Sequence, residues 1–161
     1  MQKQELNDAK KQTSLKNLYF NRYLIFRYFT AAYFFFNLYW LLGLVLAKQM
    51  TWVIPAGLLI FLILVIAEQV KQYRQPQTKL PYAYYYYWVQ LTLNLGLLLS
   101  LKTPLFVKLY PFIKPTGRTF LVIVLLLGIG GCLLLERRLY QIAHNKDRYF
   151  AAIKDFEAVI N

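Results

Sequence analysis

Residues that could perform acid–base, nucleophilic or metal chemistry are few in this chain and lie far apart. The 161 residues include one cysteine, Cys132, one histidine, His144, and seven carboxylates. A nucleophilic hydrolase needs a Ser or Cys beside a base, and Cys132 lies in an apolar run whereas His144 lies in a polar one. Zinc chemistry needs three or four ligands, which this sequence does not bring together. We therefore expect a non-enzymatic protein with no catalytic residue, no cofactor and no metal site.

A second group of polar residues lies inside long apolar segments, where a side chain has few partners. Asn37 is in the middle of the first segment, and Gln90 and Asn94 follow Tyr87 in the third at spacings of three and four. Such spacing puts residues on one face of a helix. The pattern predicts an intramembrane polar cluster of Asn37, Gln90 and Asn94. Two uses stay open for it: hydrogen bonds between helices, which are common in membranes, and a small hydrophilic path for a solute.

Four long apolar runs position these residues. About 20 mostly apolar residues suffice for a helix to cross a hydrocarbon core. The chain is 58% hydrophobic with a mean hydropathy of +0.37, against about 45–50% apolar in soluble domains. The fold class predicted is an all-α integral membrane protein with one domain over residues 1–161. Its four transmembrane helices are predicted at residues 24–47, 52–70, 83–101 and 119–136.

The basic residues predict the orientation of these helices. There are 19 of them against seven acidic residues, a balance that could suggest nucleic acid as a partner. They cluster at the ends of the apolar runs, however, where Lys and Arg orient helices and meet headgroups, so no nucleic-acid partner is expected. Their distribution places 14 with the termini and the second connection and five on the other side. This predicts that both termini are cytoplasmic, in a multi-pass protein of a bacterial cytoplasmic membrane.

Three flanking segments complete the predicted topology. Residues 1–23 are interpreted as a cytoplasmic amphipathic segment, and no cleavable signal is expected because the first apolar run starts late. Residues 102–118 contain three prolines among apolar residues and are predicted to be an interfacial or re-entrant element on the outer face, or else a loop packed on its own bundle. Its cationic residues, predicted to contact anionic headgroups, are Lys108, Lys114 and Arg118.

The third flank, residues 137–161, is predicted to be a cytoplasmic amphipathic helix that continues the fourth span. Its apolar residues recur every three or four positions, which is a heptad seam, and such a stripe must be covered. Gly128 and Cys132 in the fourth span offer a small-residue face for close helix packing. The candidate partner interface therefore consists of Leu139, Ile142, Tyr149, Ile153, Phe156 and Ile160, together with Gly128 and Cys132.

Two functional classes follow from this organisation. The first is an accessory, regulatory or immunity-type subunit that acts through helix–helix contacts with a larger membrane complex or through self-association. The second is a small self-assembling channel, holin-like protein or transporter whose path uses the predicted polar cluster. In both classes membrane lipids, including anionic headgroups, are expected partners.

Overall fold

Helices make up nearly all of the described chain. The structure, a computed structural model, describes residues 2–74 and 79–160, with side chains described at residues 11, 13–15, 17–72 and 79–154. Its helices are α1 (Gln2–Leu46), α2 (Val53–Arg74), α3 (Pro81–Ser100), α4 (Leu105–Leu109), α5 (Arg118–Ala143) and α6 (Arg148–Ile160). Short 3-10 helices, Met50–Trp52 and Pro115–Gly117, precede α2 and α5. Because these residues include no strand, the all-α prediction is confirmed.

Composition identifies three candidate membrane spans in the described ranges. Thr13–Leu46, Met50–Gln72 and Pro115–Lys154 are long and apolar enough to cross a bilayer. Helix α3, which corresponds to the third predicted span, is not among them, because tyrosines, Gln90 and Asn94 dilute its apolar residues. Its 20 residues nevertheless include no charged residue. It packs between α2 and α5.

Helix α1 is much longer than one membrane crossing. It has 45 residues, or about 67 Å at 1.5 Å per residue, against roughly 30 Å of hydrocarbon. From Gln2 onward, the segment predicted separately as residues 1–23 is the first half of this same helix, because no Gly or Pro interrupts the chain before Gly43. Helix α6 packs against α1, so the extended half of α1 has a partner within the chain.

Helices α1, α2, α3 and α5 form a four-helix bundle. Along the chain α1 packs on α2, α2 on α3, and α3 on α5. Helices α5 and α1 close the ring through long side chains, as where the Tyr33 hydroxyl donates to the Gly128 carbonyl at 2.7 Å. At one end of the bundle α1 and α3 end while α2 and α5 begin, and we call it the capping end. The opposite end, which carries α6 and the connection from α2 to α3, is the terminal end.

Residues 101–117, the capping segment, cover the capping end. Phe106, Leu109 and Tyr110 are buried against the bundle, and burial raises the pKa of the Tyr110 phenol. Trp40 Nε1 donates to the Leu109 carbonyl at 2.9 Å, and Thr51 Oγ1 donates to the Lys108 carbonyl at 2.9 Å. The segment therefore packs across the end of its own bundle, with Lys108 and Lys114 exposed, and its position relative to a bilayer stays a prediction.

The segment predicted as one cytoplasmic helix over residues 137–161 is divided in two. Helix α5 runs on to Ala143, and Asn145 then adopts a left-handed backbone with φ of 50°, a conformation that Asn tolerates well. Asp147 follows and accepts a hydrogen bond from the Phe150 backbone N–H at 3.2 Å, which caps the start of α6. The turn falls between Ile142 and Tyr149, so the predicted heptad seam does not form a continuous stripe.

Candidate functional site

The predicted polar cluster is assembled in the core between α1 and α3. Asn37 Nδ2 donates to Gln90 Oε1 at 3.3 Å, and Gln90 Nε2 donates to Asn94 Oδ1 at 3.0 Å. The Tyr86 hydroxyl also donates to Gln90 Oε1, at 2.8 Å. All four side chains are buried. The cluster thus joins α1 to two turns of α3, as interhelical hydrogen bonds commonly do in membranes.

A second network ties α1 to the small-residue face of α5. The Tyr33 hydroxyl lies 2.7 Å from the Gly128 carbonyl and 3.1 Å from Cys132 Sγ. A Cβ added at Gly131 would lie 2.8 Å from the Phe29 ring and 2.9 Å from the Tyr33 hydroxyl. Aromatic side chains of α1 therefore occupy this face of α5. Gly128 and Cys132 thus contact an aromatic side chain of the chain's own bundle.

Sequence reasoning did not separate the four consecutive tyrosines of α3. Tyr84 and Tyr85 are exposed, whereas Tyr86 and Tyr87 are fully buried. Tyr87 shares a 3.0 Å hydrogen bond with Thr30 on α1, and Gln69 on α2 donates to that same Thr30 oxygen at 2.7 Å. Consecutive helical residues point about 100° apart, so a tyrosine run cannot lie wholly at a headgroup boundary. Half of this tyrosine run therefore belongs to the core.

A groove of about 400 Å³ lies between α1 and α5, beside the polar cluster. The exposed side chains at its edges are Phe36, Tyr39, Phe120 and Leu127. The capping segment closes one end with Phe112 and Ile113. The Phe112 ring rests on Gly43, where an added Cβ would lie 2.5 Å from ring atom Cε1. The groove therefore opens sideways, toward the surroundings of the bundle.

The floor of this groove carries unsatisfied polar atoms. Asn37 and Asn94 line it and are 4% and 5% exposed. Within the described residues neither Asn37 Oδ1 nor Asn94 Nδ2 has a hydrogen-bond partner. Neither atom is fully buried, so both can be reached from the groove. The floor therefore presents one acceptor and one donor to any occupant.

The cations predicted to contact lipid are on the outer surface of the capping end. Lys108, Lys114 and Arg118 are all exposed, and the Arg118 guanidinium lies over the Phe106 ring, 4.5 Å from its centroid. Lys114 adjoins Ile113, and Arg118 is two residues before Phe120, so both cations are close in sequence to groove-lining residues. No acidic residue occurs from position 69 to position 135.

The residues predicted as a partner interface are mostly buried within the chain itself. Leu139, Ile142 and Ile153 are at most 6% exposed. Tyr149 is half-buried, with the Arg138 guanidinium 5.8 Å from its ring centroid. The remaining two, Phe156 and Ile160, have side chains outside the described residues. The stripe is covered at least in part within the chain, because α6 packs against α1.

The tightest polar contact at the terminal end was not predicted. Arg22, counted only as a topology signal, donates from Nε to Asp147 Oδ2 at 2.9 Å and from Nη2 to the second oxygen. Nη2 also donates to Asn145 Oδ1 at 3.1 Å. Both members of the ion pair are buried. The sequence signal for this turn was Asn145 followed by Asp147, because Asn and Asp favour turns and helix caps even where Gly and Pro are absent.

The spacing of Glu68 and Lys71 in the sequence would permit an ion pair on one helical face, but Glu68 contacts the start of α3 instead. Its two carboxylate oxygens accept the backbone N–H groups of Tyr82 and Ala83, at 3.2 and 2.9 Å. These N–H groups belong to the first turn of α3, where no intrahelical acceptor is available. Glu68 thus caps α3 from the end of α2.

Two exposed glycines on neighbouring helices have open space around them. Gly57 lies four residues after the start of α2 and Gly96 four residues before the end of α3. A Cβ added at either would meet no heavy atom within 4 Å. Helices α2 and α3 are packed neighbours, and both positions are about one turn from the capping end. We call this pair the glycine patch.

Comparisons with known proteins identify no relative: no family model, curated protein or solved structure matches significantly. In the described part of the chain, no three His, Cys, Asp or Glu side chains are grouped so that they could hold a metal ion. The arrangement of residues therefore carries the functional argument alone.

Proposed function

We propose that this chain is a four-span protein of a bacterial cytoplasmic membrane that acts as a non-enzymatic accessory, regulatory or immunity-type subunit. In this proposal it binds a transmembrane helix of a larger complex. The observation that carries it is the glycine patch, because membrane helices approach most closely where small residues remove side-chain bulk. Like Gly130, Gly57 and Gly96 have no heavy atom within 4 Å of an added Cβ, and both are exposed on neighbouring helices.

The composition of α3 supports the same surface. Trp88, Thr92 and Gly96 follow at intervals of four and are all exposed. Of the four bundle helices, α3 is the one whose mean hydropathy is too low to make it a candidate membrane span. A second helix packed on this face would cover the backbone at Gly96 and leave less of α3 to lipid.

Substitutions at the glycine patch test this proposal. Gly57→Ile and Gly96→Ile add side chains into open space, so the fold should be unchanged. Co-purification from native membranes in mild detergent should lose the partner for both variants. Ala67→Ile, at another exposed position on α2, is the matched control and should retain it. Equal recovery of the partner with all three variants would reject the patch.

Aspartate substitutions in the predicted partner interface are a poor test of partner binding. Ile142 and Ile153 are each 1% exposed, so a charge at either position would disrupt the fold itself.

The proposed topology places the capping end outside. It has five basic residues, Lys48, Lys102, Lys108, Lys114 and Arg118, against 14 for the rest of the chain, and cytoplasmic segments carry the excess of Lys and Arg. In a Cys132→Ser background, single cysteines at Thr103 and Lys146 test this with a membrane-impermeant maleimide. We expect the first to be labelled in intact cells and the second only after permeabilisation. The opposite pattern would invert the topology.

Transport through the polar cluster has less support. Asn37, Gln90 and Asn94 bond to one another and to Tyr33 and Tyr86, which favours an interhelical role over a hydrated path. If the chain is nevertheless a channel, the reconstituted protein should conduct and Asn94→Leu should change that conductance.

A further inference from the structure

We propose that the groove between α1 and α5 binds one anionic phospholipid from the membrane leaflet at the capping end. An acyl chain lies in the groove, and the phosphate lies beside Lys114 and Arg118. This site is separate from the glycine patch, which belongs to α2 and α3. The proposal needs the bundle to be in a membrane but does not depend on a partner helix or on which side the capping end faces.

The size of the groove selects its occupant. A volume of about 400 Å³ lies within the roughly 300–1,000 Å³ typical of small-ligand sites. One helical turn, about 10 Å wide and 5.4 Å long, fills roughly the same volume. A whole transmembrane helix therefore does not fit, whereas a flexible hydrocarbon chain can enter through the open side.

The lining of the groove matches a molecule that is apolar along most of its length. Phe36, Phe120 and Leu127 form an apolar rim, while Asn37 Oδ1 and Asn94 Nδ2 offer an acceptor and a donor at the floor. Asn94 is six residues before the end of α3, or about 9 Å inside the capping end. That position is within reach of the ester groups of a lipid whose phosphate lies at the capping end.

The charges around the groove select an anionic headgroup. The capping end has five basic residues and no acidic one in its connections. Helix α5 begins there without a side-chain cap and without an acidic residue in its first turn, so no carboxylate offsets the partial positive charge of its N-terminus. Arg118 is held over the Phe106 ring, which fixes a cation near the start of α5. Phosphate is the complementary group in a bilayer.

The test uses the full chain in nanodiscs that contain equal amounts of phosphatidylglycerol and phosphatidylcholine with identical acyl chains. Native mass spectrometry of the released protein counts the lipids it retains. We expect one phosphatidylglycerol per chain, in preference to phosphatidylcholine. Lys114→Gln and Arg118→Gln should each lower that preference about fivefold, since each basic residue near a headgroup contributes a comparable factor. Equal retention of the two lipids by the unaltered protein would overturn the proposal.

A matched pair of alanines tests the position of the acyl chain. Ala32 lines the groove and Ala31 faces away from it, and both are exposed. Ala32→Phe should abolish lipid retention while Ala31→Phe retains it. Leu127→Trp fills the groove from its rim and should also abolish retention, which provides a second variant if Ala32→Phe does not fold. Retention of lipid by folded, groove-filled protein would contradict the proposal, as would a dimer mass in place of bound lipid.

Discussion

The two ends of the bundle differ in whether acidic residues accompany their basic residues. At the terminal end Arg22 and Asp147 form a buried ion pair with 3% and 1% side-chain exposure, and Glu68 caps α3 with both carboxylate oxygens. At the capping end Lys108, Lys114 and others are exposed in connections that contain no acidic residue. The terminal end buries one ion pair and one carboxylate cap among exposed cations such as Lys146 and Arg148, whereas the connections at the capping end carry exposed cations without any acidic residue.

This difference leads us to expect that folding stability and ligand binding depend on different ends of the bundle. A buried ion pair that loses one member leaves an uncompensated charge and is costly to break, whereas exposed cations contribute little to folding. The terminal end should therefore determine how stable the bundle is, and the capping end should determine what it binds. Substitutions at the two ends can break or sharpen this division.

The largest effect is expected at the ion pair. Asp147→Ala removes the partner of Arg22 and the cap of α6 together, so it should lower the free energy of unfolding by about 3–5 kcal/mol. Unfolding by SDS titration in mixed micelles measures this. Lys146→Ala, at the exposed neighbouring position, is the control and should change stability by less than about 0.5 kcal/mol. Similar losses for the two variants would remove the special role of the pair.

Next come the small residues in the middle of the bundle. Gly131→Ala pushes a methyl group against Phe29 and Tyr33, which should cost about 1–3 kcal/mol through overpacking. Gly130→Ala enters open space and should be neutral or slightly stabilising. The same unfolding titration compares the two neighbours. A loss at Gly130 as large as that at Gly131 would contradict the packing of α1 on α5.

A smaller effect is expected for Glu68. Glu68→Ala leaves two N–H groups of α3 without their cap and should cost about 1 kcal/mol. Lys71→Ala distinguishes this role from the ion pair that the sequence suggested, because it should leave the unfolding free energy within about 0.5 kcal/mol of the unaltered protein. Equal losses would favour the ion pair over the cap.

The smallest effect on folding is expected at the capping end. Lys114→Gln and Arg118→Gln remove exposed charges, so each should shift the unfolding free energy by less than about 0.5 kcal/mol. Protein in lipid-free micelles is needed for this measurement, because bound lipid itself stabilises the fold. Losses above about 2 kcal/mol would mean that these cations hold the capping segment in place.

Sequence patterns were most informative where a short-range rule applies. The spacing of Gln90 and Asn94 put them on one helical face, and in the structure Gln90 bonds to both Asn94 and Asn37. The prolines of the capping segment predicted an interrupted element, and its longest helix has five residues. The long apolar runs predicted helices of spanning length, and three such stretches are present in the described residues.

Features that depend on distant pairing were not visible in the sequence. Arg22 and Asp147 are 125 positions apart, so no local pattern connects them. The run from Tyr84 to Tyr87 is uniform, and uniform residues carry no periodicity from which a buried face can be assigned. The continuous helix predicted over residues 137–161 was wrong because the absence of Gly and Pro was taken to mean an uninterrupted helix. Asn145 and Asp147 instead form a turn and a helix cap there.

Fluorescence quenching at Trp40 tests the division between the two ends most directly. Trp40 lines the groove, and Trp52→Phe with Trp88→Phe makes it the sole reporter. Phosphatidylglycerol with brominated acyl chains should quench Trp40 more strongly than brominated phosphatidylcholine at the same mole fraction. Adding Lys114→Gln and Arg118→Gln should make the two lipids equal without lowering stability. Equal quenching by both lipids before those charges are removed would contradict the account.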